Sequence, residues 1–265
     1  MSRSRAGTGY ELYGSPKAPV LVLVHGLGLT RATWDVFVPV FVAHCRVLTC
    51  DLCGHGETAL PLKKPCLTVL SDQLAALLDD LGIAQACIIG FSLGGMINRR
   101  FAIDHPTRAL ALVILNSPHE RSREAQRLVE ERAAETSLNG PAARIDATLE
   151  RWFTPRFRSA APQVVARVRM SVLANDPDNY TRHRQVLAGG VVELIRPSPP
   201  LAVPTLVMTC ENDSASAPSM SRAIAAEIAG AQTVIVPDLQ HLGLIERPDL
   251  FSDAILGFLA HGPAK

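Results

Sequence analysis

The chain has 265 residues, 48% hydrophobic and 19% charged, which is enough apolar content for one large globular domain or a domain carrying an insertion. Its formal net charge is +1, from 26 basic and 25 acidic side chains, so overall charge gives no reason to expect nucleic acid or an anionic membrane as partner. The start, MSRSRAGTGYELYG, has positive charge but no apolar h-region, and runs such as Val20 to Val24 are far too short to span a bilayer.

Six cysteines without a secretory signal read as reduced thiols of a cytoplasmic protein. Cys50 and Cys53 match C-x-x-C, but Cys50 ends a strand pattern and no second ligand pair accompanies it, which argues against a redox or metal role.

Along the chain, short apolar runs alternate with amphipathic segments. Val20–His25, Cys45–Asp51, Ala86–Gly90 and Ala109–Asn116 read as strands buried on both faces. Between them, Leu67–Gly82 and Gly94–Pro106 have helical spacing, each with glycine or proline at its end. After residue 200 the alternation resumes: PTLVMTC is a strand, PSMSRAIAAEIAG a helix, QTVIVP a strand and PDLFSDAILGFLAH a final helix. Alternating strands and helices predict a mostly parallel sheet with helices on both faces.

Residues 118–200 break this rhythm with four helix-like pieces, RSREAQRLVEERAAE, PAARIDATLERWF, APQVVARVRMSVLAN and DNYTRHRQVLAG, and no convincing strand. The expected organisation is therefore a core of residues 1–117 and 201–265 with an all-helical cap over 118–200. The proline-rich RPSPPLAVP closes the insertion.

Gly90-Phe91-Ser92-Leu93-Gly94 satisfies G-x-S-x-G between a buried strand and a helix, the context of a nucleophile elbow. A serine hydroxyl needs a base, and the base an orienting acid. In this architecture the expected chain order is serine, acid, histidine. Asp213 and His241 each fall in a loop after a later strand, so both are expected at the sheet edge that carries Ser92. Glu211 and Asp238 compete for the acid's place, and a loop histidine is often incidental. His25-Gly26-Leu27-Gly28 follows a strand, and the Leu27 and Leu93 N–H groups are the expected oxyanion donors. His25 reads as a loop brace, and DLCGHGET as a tight turn without the Lys-Ser/Thr of a phosphate loop. No H-E-x-x-H occurs, so a catalytic metal is not expected, and a serine nucleophile with its own base is read as needing no cofactor.

Over nearly its whole length the chain resembles the α/β-hydrolase superfamily, through HGLG, Trp34-Asp35, DLCGHGET, GFSLGG, DHPTRALALVILNSP, ENDSASAP and QHLGLIERPDLF. Within the insertion, TLERWFTPRFRSAAP and ANDPDNYTRHRQVL look like the cap of 3-oxoadipate enol-lactone hydrolases, enzymes of aromatic catabolism. That resemblance implies a cyclic ester carrying carboxylate groups, with Arg151 and Trp152 facing the pocket. Residues 118–200 hold 13 arginines against 10 acids and no lysine, and arginine suits bidentate carboxylate binding. The same spacing in ERSREAQRLVEER also fits exposed helix ion pairs, and a tryptophan is often a packing residue.

The sequence thus predicts a serine hydrolase of a small carboxylic ester or lactone. A carbon–carbon bond hydrolase of a vinylogous diketone, a cofactor-free perhydrolase and a small-molecule receptor stay open beside it. Nothing in the sequence assigns an oligomeric state.

Overall fold

The computed structural model describes residues 2–60 and 63–261. Residues 1, 61, 62 and 262–265 of the expected core lie outside the described residues. Among the described residues eight strands form one sheet: β1 (Ser2–Arg3), β2 (Gly9–Tyr13), β3 (Val20–Val24), β4 (Arg46–Cys50), β5 (Ala86–Phe91), β6 (Ala109–Leu115), β7 (Thr205–Cys210) and β8 (Gln232–Val236). Their order is β1-β2-β4-β3-β5-β6-β7-β8. From β4 to β8 all neighbours are parallel, whereas β1 and β2 are antiparallel additions at one edge.

β5 and β7 are buried at every residue, which is why they read as unbroken apolar runs. β2, GYELY, escaped the sequence pattern because four of its five residues are only half-buried and its apolar and polar residues mix. Register pairs Val24 with Gly90, Phe91 with Leu115, and Cys210 with Val236. The loops that follow these strands consequently leave along a single sheet edge.

The helices outside the insertion are α1 (Val38–Phe41), α2 (Leu67–Asp80) and α3 (Leu93–Asp104) before it. Between β6 and β7 come α4 (Arg123–Asn139), α5 (Ile145–Trp152), α6 (Pro155–Ala160), α7 (Pro162–Leu173) and α8 (Pro177–Gly189), and among the described residues there is no strand in that interval. The last helices are α9 (Pro218–Ala226), α10 (Gly243–Glu246) and α11 (Pro248–His261). Proline opens α6, α7 and α8, where its missing N–H costs nothing. Ser122, Thr154 and Asp176 cap α4, α6 and α8 by accepting from the N–H groups of Ala125, Phe157 and Asn179. The Thr154 cap followed by Pro155 starts a helix, α6, that the sequence pattern had not separated.

Hydrogen bonds from side chains and backbone tie the helical insertion to the loops that follow the strands and to α10. Thr154 donates from both N–H and hydroxyl to the Glu246 carboxylate at 2.7 Å, and the Leu242 N–H donates to the Trp152 carbonyl at 2.8 Å. Asn175 and Asn179 amides donate to the Gly28 and Gly54 carbonyls at 3.1 and 2.8 Å. Among the described residues no helix is long and apolar enough to cross a membrane.

Candidate active site

Ser92 stands between β5 and α3 at φ 54° and ψ −110°, a backbone conformation that L side chains rarely occupy. Its N–H donates to the Leu115 carbonyl at 2.8 Å and its own carbonyl accepts from the Ser117 hydroxyl at 3.0 Å. The flanking glycines follow from the tightness of this turn. A Cβ on Gly90 would lie 2.1 Å from the Gly94 carbonyl oxygen, and one on Gly94 would lie 2.2 Å from that of Val24. The strand and helix can meet at Ser92 only if both positions lack a side chain.

The Ser92 Oγ lies 3.2 Å from His241 Nε2, and His241 Nδ1 lies 2.7 Å from Asp213 Oδ2. These three residues, 28 and 149 positions apart along the chain at their two contacts, are all buried. With Nδ1–H donating to Asp213, Nε2 is left to accept the serine proton. Asp213 Oδ1 accepts from the Ala215 and Ser216 N–H groups at 2.9 and 3.0 Å. Burial by itself pushes the Asp213 carboxyl up, but the His241 charge and hydrogen bond, the Asn116 amide and the Ser216 N–H outweigh it and hold the group below its ordinary range. Glu211 is exposed and accepts from the Asp238 N–H at 3.2 Å, so neither competing acid serves His241.

Leu27 follows β3 and borders the cavity in front of Ser92, while Leu93 is the first residue of α3 with its side chain fully buried. Among the described residues neither backbone N–H has an acceptor. The turn around Leu27 is braced from both sides. His25 Nε2 accepts from the Leu52 N–H at 3.0 Å, which leaves Nδ1–H to donate to the Gly26 carbonyl at 2.8 Å. His55 Nε2 accepts from the Gly28 N–H at 3.1 Å. His25 is therefore a neutral brace, as expected of it.

Arg151 and Trp152 both line the cavity of about 220 Å³ that opens onto Ser92 and His241. The Trp152 ring lies 6.0 Å from that of His241. Three more arginines line the same cavity, Arg121 before α4, Arg132 on α4 and Arg184 on α8, and among the described residues no acidic one does. Burial, then the charges of Arg132, Arg184 and Arg144, push the Arg151 guanidinium down to about 10. Burial and then Arg184 push Arg121 down to about 10 as well.

Sequence reasoning missed these three arginines, together with Asn116, whose amide donates to Asp213 at 2.9 Å. Asn116 ends the run ALALVILN at the sheet edge that carries the serine, the one signal that could have singled it out.

Burial pushes the Cys50 and Cys53 thiols up to about 12, so both are protonated thiols at neutral pH. Among the described residues no group of three or more His, Cys, Asp and Glu side chains is placed to hold a metal ion.

A family model described as the alpha/beta hydrolase family matches residues 21–254. The 3-oxoadipate enol-lactonase 2 of Acinetobacter baylyi is 26% identical over 249 residues, covering 93% of this chain and 90% of the relative. Among solved structures, the enol-lactonase of Burkholderia xenovorans LB400 is 31% identical, covers 96% of each chain and superposes with a TM-score of 0.88. A malate-bound thermophilic esterase of Thermogutta terrifontis is 26% identical, with a TM-score of 0.84, and covers 96% of this chain and 93% of its own.

Proposed function

The chain belongs to the alpha/beta hydrolase family and is a hydrolase of ester bonds, and on that premise we propose that it cleaves a small carboxylic ester or lactone through an acyl-enzyme on Ser92. The observation that carries this reading is the buried run of contacts from Asp213 through His241 to Ser92 Oγ, at 2.7 and 3.2 Å. Ser92 Oγ attacks the carbonyl carbon while His241 Nε2 takes its proton. Asp213 fixes the imidazole tautomer and stabilises the imidazolium. The Leu27 and Leu93 N–H groups receive the developing oxyanion, aided by the positive N-terminal end of α3.

Collapse of the tetrahedral adduct breaks the bond to the ester oxygen, which leaves with the proton from His241. In a lactone that oxygen remains tethered to the acyl group. Water, deprotonated by the same histidine, then attacks the acyl carbon and returns Ser92 as the acid departs. The enol-lactonase relatives support a lactone as the ring-opened substrate, and Arg151 beside Trp152 supports a carboxylate on it. The six free thiols support a reducing, cytoplasmic location.

Steady-state hydrolysis of p-nitrophenyl acetate, p-nitrophenyl butyrate, a simple lactone and a carboxylated enol-lactone, with Ser92→Ala beside the wild type, tests the proposal. Loss of turnover in the variant, by about three orders of magnitude or more, is expected. Turnover equal to the wild type would refute the nucleophile. A wild type inert across the panel would favour carbon–carbon hydrolysis or a receptor role.

A further inference from the structure

Among the described residues, nine of the eighteen arginines outside the cavity are ion-paired. Arg31 meets Asp51, Arg100 meets Asp104, Arg108 meets Asp79, Arg127 meets Glu131, Arg144 meets Glu135 and Arg247 meets Asp249. Among the described residues the four that share the cavity, Arg121, Arg132, Arg151 and Arg184, have no carboxylate within ion-pair distance. Arg121 donates to the Gln126 amide oxygen and to the carbonyls of Leu187 and Ala188 at 3.1 to 3.5 Å. Arg151 donates to Thr148 Oγ1 at 3.3 Å, and the buried Arg184 Nε has no partner among the described residues. They come from different parts of the insertion, the segment before α4 and helices α4, α5 and α8, yet converge on one space next to Ser92.

Four cations facing one cavity without counter-charge repel one another, and an anionic ligand would relieve that repulsion. A carboxylate offers roughly four lone-pair sites and takes one guanidinium bidentately with a second beside it. One carboxylate would engage only about two of these four guanidiniums. Two would engage all four. We infer that the substrate carries at least two free carboxylate groups, held by Arg121, Arg132, Arg151 and Arg184 around the carbonyl presented to Ser92. The inference rests on the proposed ester hydrolysis and narrows its substrate class to short-chain esters or lactones of polycarboxylic acids. The volume of about 220 Å³ lies below the ~300–1,000 Å³ usual for drug-sized ligands.

Three p-nitrophenyl esters share a leaving group and differ in free carboxylates: butyryl has none, succinyl one and tricarballyl, esterified at a terminal carboxyl, two. With the full-length protein, kcat/KM should rise at least about tenfold with each added carboxylate, mainly through KM. Arg132→Gln and Arg184→Gln should each cut the ratio of the tricarballyl to the butyryl value by about tenfold. A tricarballyl ester no better than the succinyl ester, or an unchanged ratio in both variants, would overturn the inference.

Should none of the esters turn over, or Ser92→Ala remain as active as the wild type, it is the hydrolytic reading that fails. Calorimetry of the wild type with tricarballylate, succinate and butyrate then still tests the cavity. Affinity that rises with carboxylate number and falls in Arg184→Gln is expected. Equal, weak binding of all three would overturn the inference independently of turnover.

Discussion

Asn116 Nδ2 donates a 2.9 Å hydrogen bond to Asp213 Oδ2, the same oxygen that meets His241 Nδ1 at 2.7 Å. The donor is fully buried at φ 47°, with its own N–H bound to the Met208 carbonyl at 2.8 Å, so β6 and β7 together fix where it points. Asn116→Ala removes one of the restraints on a carboxylate that keeps the Ala215 and Ser216 N–H bonds to its other oxygen. The expected result is partial loss: kcat down by about tenfold with KM nearly unchanged, because the group orients the base and does not touch substrate. Steady-state kinetics with a p-nitrophenyl ester checks this. A rise in KM at constant kcat would place Asn116 in substrate binding instead.

Gly94→Ala tests whether the elbow is as tight as its backbone implies. The added methyl would lie 2.2 Å from the Val24 carbonyl oxygen and 2.8 Å from that of His25, and both are backbone atoms that cannot step aside. Urea unfolding should show a loss of about 3 kcal/mol or more, or no soluble protein. Gly257→Ala, at an exposed position of α11 where a Cβ meets nothing within 4 Å, should instead gain about 0.5–1 kcal/mol. Equal effects of the two substitutions would contradict the geometry.

Acid should weaken the fold through three buried histidines. His25, His55 and His183 pack in a row, with ring centroids 5.3 and 4.8 Å apart. Each has its Nδ1 at a backbone carbonyl, of Gly26, Cys53 and Asn179, and the Nε2 atoms accept from Leu52 N–H, Gly28 N–H and the Cys53 thiol. Burial, the largest cause in all three, lowers their affinity for a proton below the ordinary 6.5. The sign follows from linkage: below 6.5 the unfolded chain binds protons that the folded one refuses, so stability is full above that pH and is lost as pH falls toward the folded values. Each histidine contributes a slope of up to about 1.4 kcal/mol per pH unit. Urea midpoints at pH 7.5, 6.5 and 5.5 should therefore fall in that order. A midpoint independent of pH across this range would show that these rings bind protons as readily in the folded chain as in the unfolded one.

Ser92, Asp213 and His241 were legible because their signals are local: two glycines around a serine, and two loops each following an apolar run. Parallel strands convert that order into proximity, since their C-terminal loops share an edge. The cavity arginines carried no such mark. On α4, Arg127 pairs with Glu131 one turn on, at 2.7 Å, as exposed helix spacing predicts, whereas Arg132 in the same run faces the cavity. Which side of a charged amphipathic helix lies over a site depends on how the insertion docks. That in turn depends on contacts such as Thr154 with Glu246, 92 residues apart, which no periodicity encodes. Asn116 was missed for a related reason, because one asparagine after a strand is ordinary until Asp213 arrives 97 residues later.

Arg184→Met separates a binding role from a structural one. A cation that shares its cavity with three others and whose buried Nε has no partner among the described residues destabilises the empty protein, and an apolar residue of similar length relieves both costs. The variant should unfold at a higher temperature, by about 2–4 °C for a gain near 1 kcal/mol in a chain of this size. Arg31→Met should do the reverse. Its partner Asp51 is fully buried and also accepts from the Arg31 and Glu57 N–H groups, so removing the guanidinium strands a charge and should cost about 3 kcal/mol or more. Differential scanning calorimetry of the two variants against the wild type reads both effects. A lower midpoint for Arg184→Met would mean that its guanidinium holds the insertion together, and the stabilising direction expected of an unpaired cation in a binding cavity would be wrong.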